Sequence, residues 1–273
     1  MFALHRASRN LSRNHSRKLV PPILCVLLFA AMLALAGCGG GGQEDSLARV
    51  QANGKLVVAT DDTYPPLEWN QDGQIVGFDI DLMTEICRRL GVEAQFESSK
   101  WDSLLTGLAG GQYDAVISSM NITPERQQQA DFVEYARWAQ VIVTEPSNSS
   151  ISTLDDLKGK HIAVQVATTS EAVARSIENA EVTCFESFDT TFMELMNHRV
   201  DAIIVDEPVA MYYQAKSPNA FAIVGTAIER EPVGIALKKG SDSLREAMEQ
   251  ALQDMQDDGT YDQIFAKWFG DNQ

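Results

Sequence analysis

Residues 77–90, GFDIDLMTEICRRL, constrain what this chain can become more than any other stretch. Gly77 can take backbone angles that strain other residues. Asp79 and Asp81 follow where a helix exposes unpaired N–H groups, and their charge suits the positive end of its dipole. Ile80, Met83, Ile86, Cys87 and Leu90 recur three or four apart, the apolar stripe of a helix lying on a sheet. Arg88 and Arg89 occupy the last turn and Gly91 ends it. The spacing predicts an amphipathic helix over 79–90 in an α/β chain.

The N-terminal segment has no place in such a fold. His5, Arg6, Arg9, Arg13, Arg17 and Lys18 form a basic region, and residues 19–36 are almost wholly apolar. That length approaches a short membrane span, so a retained anchor is one reading. Leu35-Ala36-Gly37-Cys38 decides for another, because small residues before a cysteine, after an apolar core, make a bacterial lipoprotein cleavage pattern. The expectation is a signal peptide over 1–37, a lipid on Cys38 and a flexible tether over 38–50, with Gly39–Gly42 at its start. The body would then sit in the cell envelope, anchored on the extracytoplasmic side.

The formal net charge is −16, and loss of the leader with its five Lys and Arg residues takes it to −21. Phosphate would repel such a body, so nucleic acid and anionic membrane surfaces are poor partners. The acidity supports solubility, or a bias toward cationic ligands. Of the four cysteines, Cys25 lies in the leader and Cys38 at the cleavage site. Cys87 in the helix stripe and Cys184 in an apolar run read as small buried hydrophobes. His161 and His198, the histidines beyond the leader, lack ligand spacing, so neither metal nor cofactor is expected.

About 235 residues follow the leader, natural for two α/β lobes. KLVVAT at 55–60 reads as a first strand, and the loop Asp61-Asp62-Thr63-Tyr64-Pro65-Pro66 leaves its carboxyl end. Ligands of open α/β sheets bind at such ends. A strand over 92–96, a short helix over 101–108 and a strand over 113–117 follow. A second series echoes the first: KHIAVQ at 160–165 matches KLVVAT, and residues 199–204 match 112–117. EPSNSS at 145–150 has the composition of a connection between lobes. Residues 233–237 read as a strand returning to the first lobe, before a long helix carrying Leu244, Met248, Leu252 and Met255 and a shorter one over 261–269.

The pattern G-F-D-I-D-L with its fixed apolar offsets resembles the signature of the bacterial extracellular solute-binding proteins of family 3, receptors that deliver polar amino acids to ABC importers. Asp258-Gly259-Thr260-Tyr261 and Lys267-Trp268-Phe269-Gly270 are similar to that family's closing segments, so the resemblance spans residues 50–270. It implies a two-lobed periplasmic-binding-protein-like fold of type II, a hinged flytrap with two crossovers. Lobe 1 would hold 51–144 and 234–273, and lobe 2 would hold 145–233. Some relatives bridge the cysteine matching Cys87 to one just after the helix, where this chain has Glu93 and Ala94.

The resemblance also implies a ligand with an α-carboxylate and an α-ammonium. Closing a cleft on both needs one fixed cation and one fixed anion, since an unpaired buried charge is costly. Arg126, in the segment S-S-x-x-I-T-x-x-R from Ser118, matches the arginine that grips the carboxylate, a task its planar fork suits. Asp206 matches the aspartate that accepts from the ammonium. Thr168 and Thr169 open a helix whose N–H groups would cradle the carboxylate, although Ala167 stands where relatives carry Gly. Tyr64 and Trp101 match aromatics that sandwich the ligand side chain, Ser118, Ser119 and Asn121 would add polar contacts, and Asp61 could face a basic side chain, although relatives with neutral ligands also carry Asp there. Glu134-Tyr135-Ala136-Arg137-Trp138 departs from the family's usual group near the hinge, which would alter the pocket wall there.

The leading expectation is therefore a monomeric lipid-anchored receptor that hands an amino acid to ABC permease transmembrane subunits. A second class is an enzyme on the same fold, of the cyclohexadienyl (prephenate/arogenate) dehydratase type, with Glu171 or Glu207 as a general acid. The chain carries no G-x-S-x-G, H-E-x-x-H or phosphate-loop motif to support it. A third class, a sensory ectodomain, would need a separate signalling partner.

Overall fold

The computed structural model describes residues 45–270, Glu229 excepted, and the leader, Cys38 and the Gly-rich start of the tether lie outside the described residues. The expected tether is shorter at its distal end. Residues 46–50 belong to helix α1 (Ser46–Asn53), whose N-cap Asp45 accepts from the N–H groups of Leu47 and Ala48. Among the described residues, no helix is long and apolar enough to cross a membrane.

The chain continues through β1 (Lys55–Thr60), β2 (Thr63–Tyr64), β3 (Glu68–Gln71), β4 (Gln74–Val76), α2 (Phe78–Leu90), β5 (Glu93–Ser98), α3 (Leu104–Ala109), β6 (Ala115–Val116), α4 (Pro124–Gln127) and β7 (Ala130–Thr144). Beyond these lie β8 (His161–Gln165), α5 (Thr169–Ser176), β9 (Glu181–Phe185), α6 (Phe188–Met196), β10 (Ala202–Asp206), α7 (Glu207–Lys216), β11 (Ala222–Val224), β12 (Arg230–Lys238), α8 (Asp242–Asp257) and α9 (Thr260–Phe269).

Lobe 1 is built on the order β5-β1-β6-β12-β7, and lobe 2 on β7-β10-β8-β9 with β11 also on β7. Strand β7 therefore belongs to both. Its residues 130–139 pair with β12, while 140–143 pair with β10 and 142–144 with β11. Two adjoining antiparallel strands, β7 and β12, thus make the connection between the lobes. Residues 140–144, expected in lobe 1, already lie in the second sheet. EPSNSS at 145–150 comes after the crossing rather than forming it.

Helix α2 starts one residue earlier than its polar pattern predicts. Gly77, at φ +143°, is the N-cap, and a Cβ there would lie 2.0 Å from the Leu67 carbonyl oxygen. Only glycine permits that approach. Asp79 does more than complement the dipole. It is fully buried, and its Oδ2 accepts from the Ser119 N–H at 2.9 Å and the Tyr135 hydroxyl at 2.6 Å. Asp81 accepts from Lys267 and Trp268 of α9. The helix is thereby pinned to both a loop of lobe 1 and the C-terminal helix. Phe78 packs against Tyr135, Trp138, Tyr261, Phe265 and Phe269, so the aromatic pair near the hinge serves this core and not the pocket wall.

Neither Cys87 nor Cys184 carries a disulfide. Cys87 is buried, and burial pushes its thiol up to about 12. Cys184 is only half-buried and accepts from Arg175 at 3.3 Å, so the expected buried hydrophobe is instead a partly polar contact.

Candidate functional site

Both sheets aim the carboxyl ends of parallel strands at one cleft. Asp61 follows β1, Ser118 follows β6, Gln165 ends β8 and Asp206 ends β10. This is the crevice where open α/β sheets hold ligands. The lobes meet across it and leave a cavity of about 20 Å³ between them.

Nine of the ten expected binding residues line the cleft: Asp61, Tyr64, Trp101, Ser118, Ser119, Asn121, Thr168, Thr169 and Asp206. Arg126, the tenth, sits beside it, stacked 5.0 Å from the Trp101 ring. Its Nη1 donates to Asn121 O at 2.9 Å and its Nη2 to Ala167 O at 3.1 Å. Carbonyl dipoles leave a guanidinium's charge uncompensated, so a carboxylate would displace them readily. Burial lowers the Arg126 pKa to about 10, against the pull of Glu231 and Asp206. It remains a cation throughout the physiological range.

Asp206 is 4 % exposed and accepts from the Tyr64 hydroxyl at 2.8 Å. Burial raises it to about 7, although the Tyr64 bond and Arg126 oppose the shift. Asp61 is raised to about 6 for the same reason, while Gln165 and Thr63 donate to its two oxygens. The cleft therefore gathers acids that burial leaves short of positive charge.

Ala167 takes a left-handed φ of +60°, which glycine would reach freely. Its carbonyl faces lobe 1, where Trp101 Nε1 and Arg126 both donate to it. Thr168 caps α5 by accepting from the Glu171 N–H. Thr169 accepts from Gln140 at 2.6 Å and donates to Asn121 Oδ1 at 3.1 Å. Ser119 Oγ and Asn121 Nδ2 are sealed without a partner among the described residues. Such atoms are costly unless something joins them.

Three lining residues carried no expectation, Glu68, Gln165 and Phe188, while Ser170 continues the helix opening begun by Thr168 and Thr169. Phe188 packs 4.9 Å from Tyr64, adding an aromatic wall from lobe 2. Glu68 is fully buried, takes the Ser118 hydroxyl at 3.0 Å and lies against Asp79. Burial first, and then the Asp79 charge, push it well above the usual carboxylate range. A polar residue closing an apolar strand, as in KHIAVQ, was the available signal for Gln165. Glu171 and Glu207 are engaged elsewhere, with Ala167 N and Arg175 for one and Arg230 for the other. Among the described residues, no His, Cys, Asp and Glu cluster could hold a metal ion.

Residues 56–271 match the model of the bacterial extracellular solute-binding proteins, family 3. The chain is 33% identical over 248 residues to the L-cystine-binding protein TcyJ of Escherichia coli strain K12, covering 89% of this chain and 93% of that protein. It is 42% identical to an ancestral arginine-binding protein solved bound to glutamine, with a TM-score of 0.77 over 80% of this chain and 98% of the other. The same kind of ancestral protein bound to arginine shares 43% identity and a TM-score of 0.76, over 80% and 99% of the two chains.

Proposed function

The chain belongs to the bacterial extracellular solute-binding proteins, family 3, and on that premise we propose that it captures a polar L-amino acid between its lobes and delivers it to the permease subunits of an ABC importer. The observation that carries this reading is that Arg126 of lobe 1, beside the cleft, and Asp206 of lobe 2, lining it, lie near enough for each to act on the other's charge. Together they complement an α-carboxylate and an α-ammonium, and neither lobe supplies both. A ligand that touches both lobes favours their closed arrangement by its differential affinity. Thr168, Thr169, Ser119 and Asn121 would complete the carboxylate end, and Tyr64, Trp101, Phe188 and Asp61 would hold the side chain.

Electrostatic balance favours a basic ligand. A zwitterion neutralises Arg126 and Asp206 and leaves Asp61 buried without a cation, whereas a cationic side chain satisfies it. Glu171 and Glu207, the two acids considered for a lyase, lie outside the cleft lining and are engaged with Arg175 and Arg230. Cleavage before Cys38 and lipidation of its sulfur would keep a monomeric receptor at the membrane, the short tether leading directly into α1.

Thermal unfolding of protein refolded to strip carried-over ligand, scanned against each amino acid, tests the proposal. A true ligand at a hundred times its dissociation constant adds about 2.7 kcal/mol. No shift with any amino acid would reject the receptor reading, and turnover of a prephenate-like acid would then be measured.

A further inference from the structure

Gln165 is the polar residue of the cleft whose chemistry is most completely specified by its neighbours. It is 3 % exposed, ends β8 of lobe 2 and reaches across to lobe 1. Its Nε2 donates to Asp61 Oδ2 at 2.7 Å and to the Glu186 carbonyl at 3.0 Å. Both amide hydrogens are thereby committed to acceptors. Turning the amide over would set Oε1 against two acceptor oxygens, so the orientation is not interchangeable. Oε1 has no donor among the described residues and is not sealed in.

From this fixed amide we infer that Gln165 is a specificity-determining residue, which holds its oxygen beside the Asp61 carboxylate so that the two together accept from a side-chain head made only of donors, a guanidinium above all. The inference rests on the amino-acid-receptor reading and adds to it the class of side chain selected. Asp61 and Gln165 Oε1 form a pair of neighbouring acceptors. The Thr63 hydroxyl is already given to the other Asp61 oxygen, and Ser118 is spent, donating to Glu68 and accepting from the Asp61 N–H. A guanidinium carries five N–H donors in one plane and no acceptor, so it can serve both oxygens at once. A carboxamide or ureido head brings its own oxygen, which would meet acceptors and stay unpaired. Tyr64, Trp101 and Phe188 around the cleft give the planar cation aromatic surface to lie against.

Titration calorimetry with arginine and its neutral isostere citrulline decides the matter, using refolded wild type, Gln165→Leu and Gln165→Glu. Wild type should bind arginine at least about 100-fold tighter than citrulline, as expected of a site built around substrate N–H groups. Gln165→Leu should weaken arginine more than citrulline and shrink that ratio at least about tenfold, while Gln165→Glu, which restores an acceptor, should recover the preference. Equal weakening of both ligands is what a merely structural role gives, and it would overturn the inference, as would a ratio that stays the same or grows. A wild-type ratio near one overturns it even where the variants do not fold. Binding of other amino acids but of neither probe removes the inference and leaves the receptor standing, whereas failure of every amino acid removes both.

Discussion

Tyr64 Oη donates to Asp206 Oδ2 at 2.8 Å, a bond between residues 142 apart in sequence that joins the lobes through the cleft itself. Gln165 to Asp61 and Thr169 to Asn121 repeat the pattern. The closed arrangement is thus held by the same groups that would grip a ligand. Binding would exchange partners inside the cleft rather than create an interface anew.

Removing one of the two fixed charges should uncouple the amino acid from one lobe. Arg126→Ala or Asp206→Asn is expected to weaken binding by about 2–5 kcal/mol, because the ligand's opposite charge is then buried uncompensated. Titration calorimetry reads the loss directly. Retained affinity in both variants would show that the carboxylate and ammonium bind elsewhere.

Tyr64→Phe keeps the ring against Phe188 and deletes only the hydroxyl. The variant without ligand should open further than wild type, seen as a larger radius of gyration in small-angle scattering. Hydrogen bonds to charged groups contribute about 1.5–3 kcal/mol, enough to shift a two-state hinge. With saturating ligand, wild type and variant should scatter alike.

The buried acids make stability fall as pH rises. Asp206 at about 7 and Asp61 and Asp79 at about 6 hold protons that the unfolded chain has already lost, and burial raises Glu68 in the same direction. Their contribution is full below about pH 4 and disappears as pH climbs through 6 to 7. Exposed carboxylates with lowered values, such as Asp258 at about 2, act only at more acid pH. Melting temperatures without ligand should therefore decline from pH 5 to 8, and Asp206→Asn should flatten the decline. Ligand ammonium needs the ionised Asp206, so affinity should rise over the same window, with proton release on binding detected by calorimetry in buffers of different ionisation enthalpy. A flat melting profile in wild type would contradict the burial of these groups.

Gly77→Ala tests the entry to α2. The new Cβ would overlap the Leu67 carbonyl in a backbone conformation that L-residues avoid. Destabilisation of at least ~2 kcal/mol is expected by urea denaturation. Ala167→Gly should do the reverse, gaining about 1 kcal/mol as the left-handed strain is relieved.

Long β7 was not legible as a strand, and its environment explains why. Its first half mixes buried Val133, Tyr135 and Trp138 with exposed Glu134 and Arg137, and its second half, from Ala139 to Thr144, is buried throughout. One strand crossing two sheets has no single period, so no window of sequence announces it. Glu68 escaped notice for another reason. Beside Trp69 it reads as an ordinary polar position, and only the folding of β3 against α2 sets it next to Asp79.

What the sequence determined by itself was local: the stripe and caps of α2, the apolar runs of β1, β8 and β10, and the loops at their carboxyl ends where polar residues collect. Those follow from near-neighbour chemistry, in which spacing along the chain is spacing in space. Tertiary structure alone decided which charges meet. Arg126 and Asp206 approach one cleft, Asp61 receives an amide from a strand 104 residues away, and four acids lose their water together. Their pairing and their proton affinity depend on burial and on distances that close only when β7 and β12 bring the two sheets face to face.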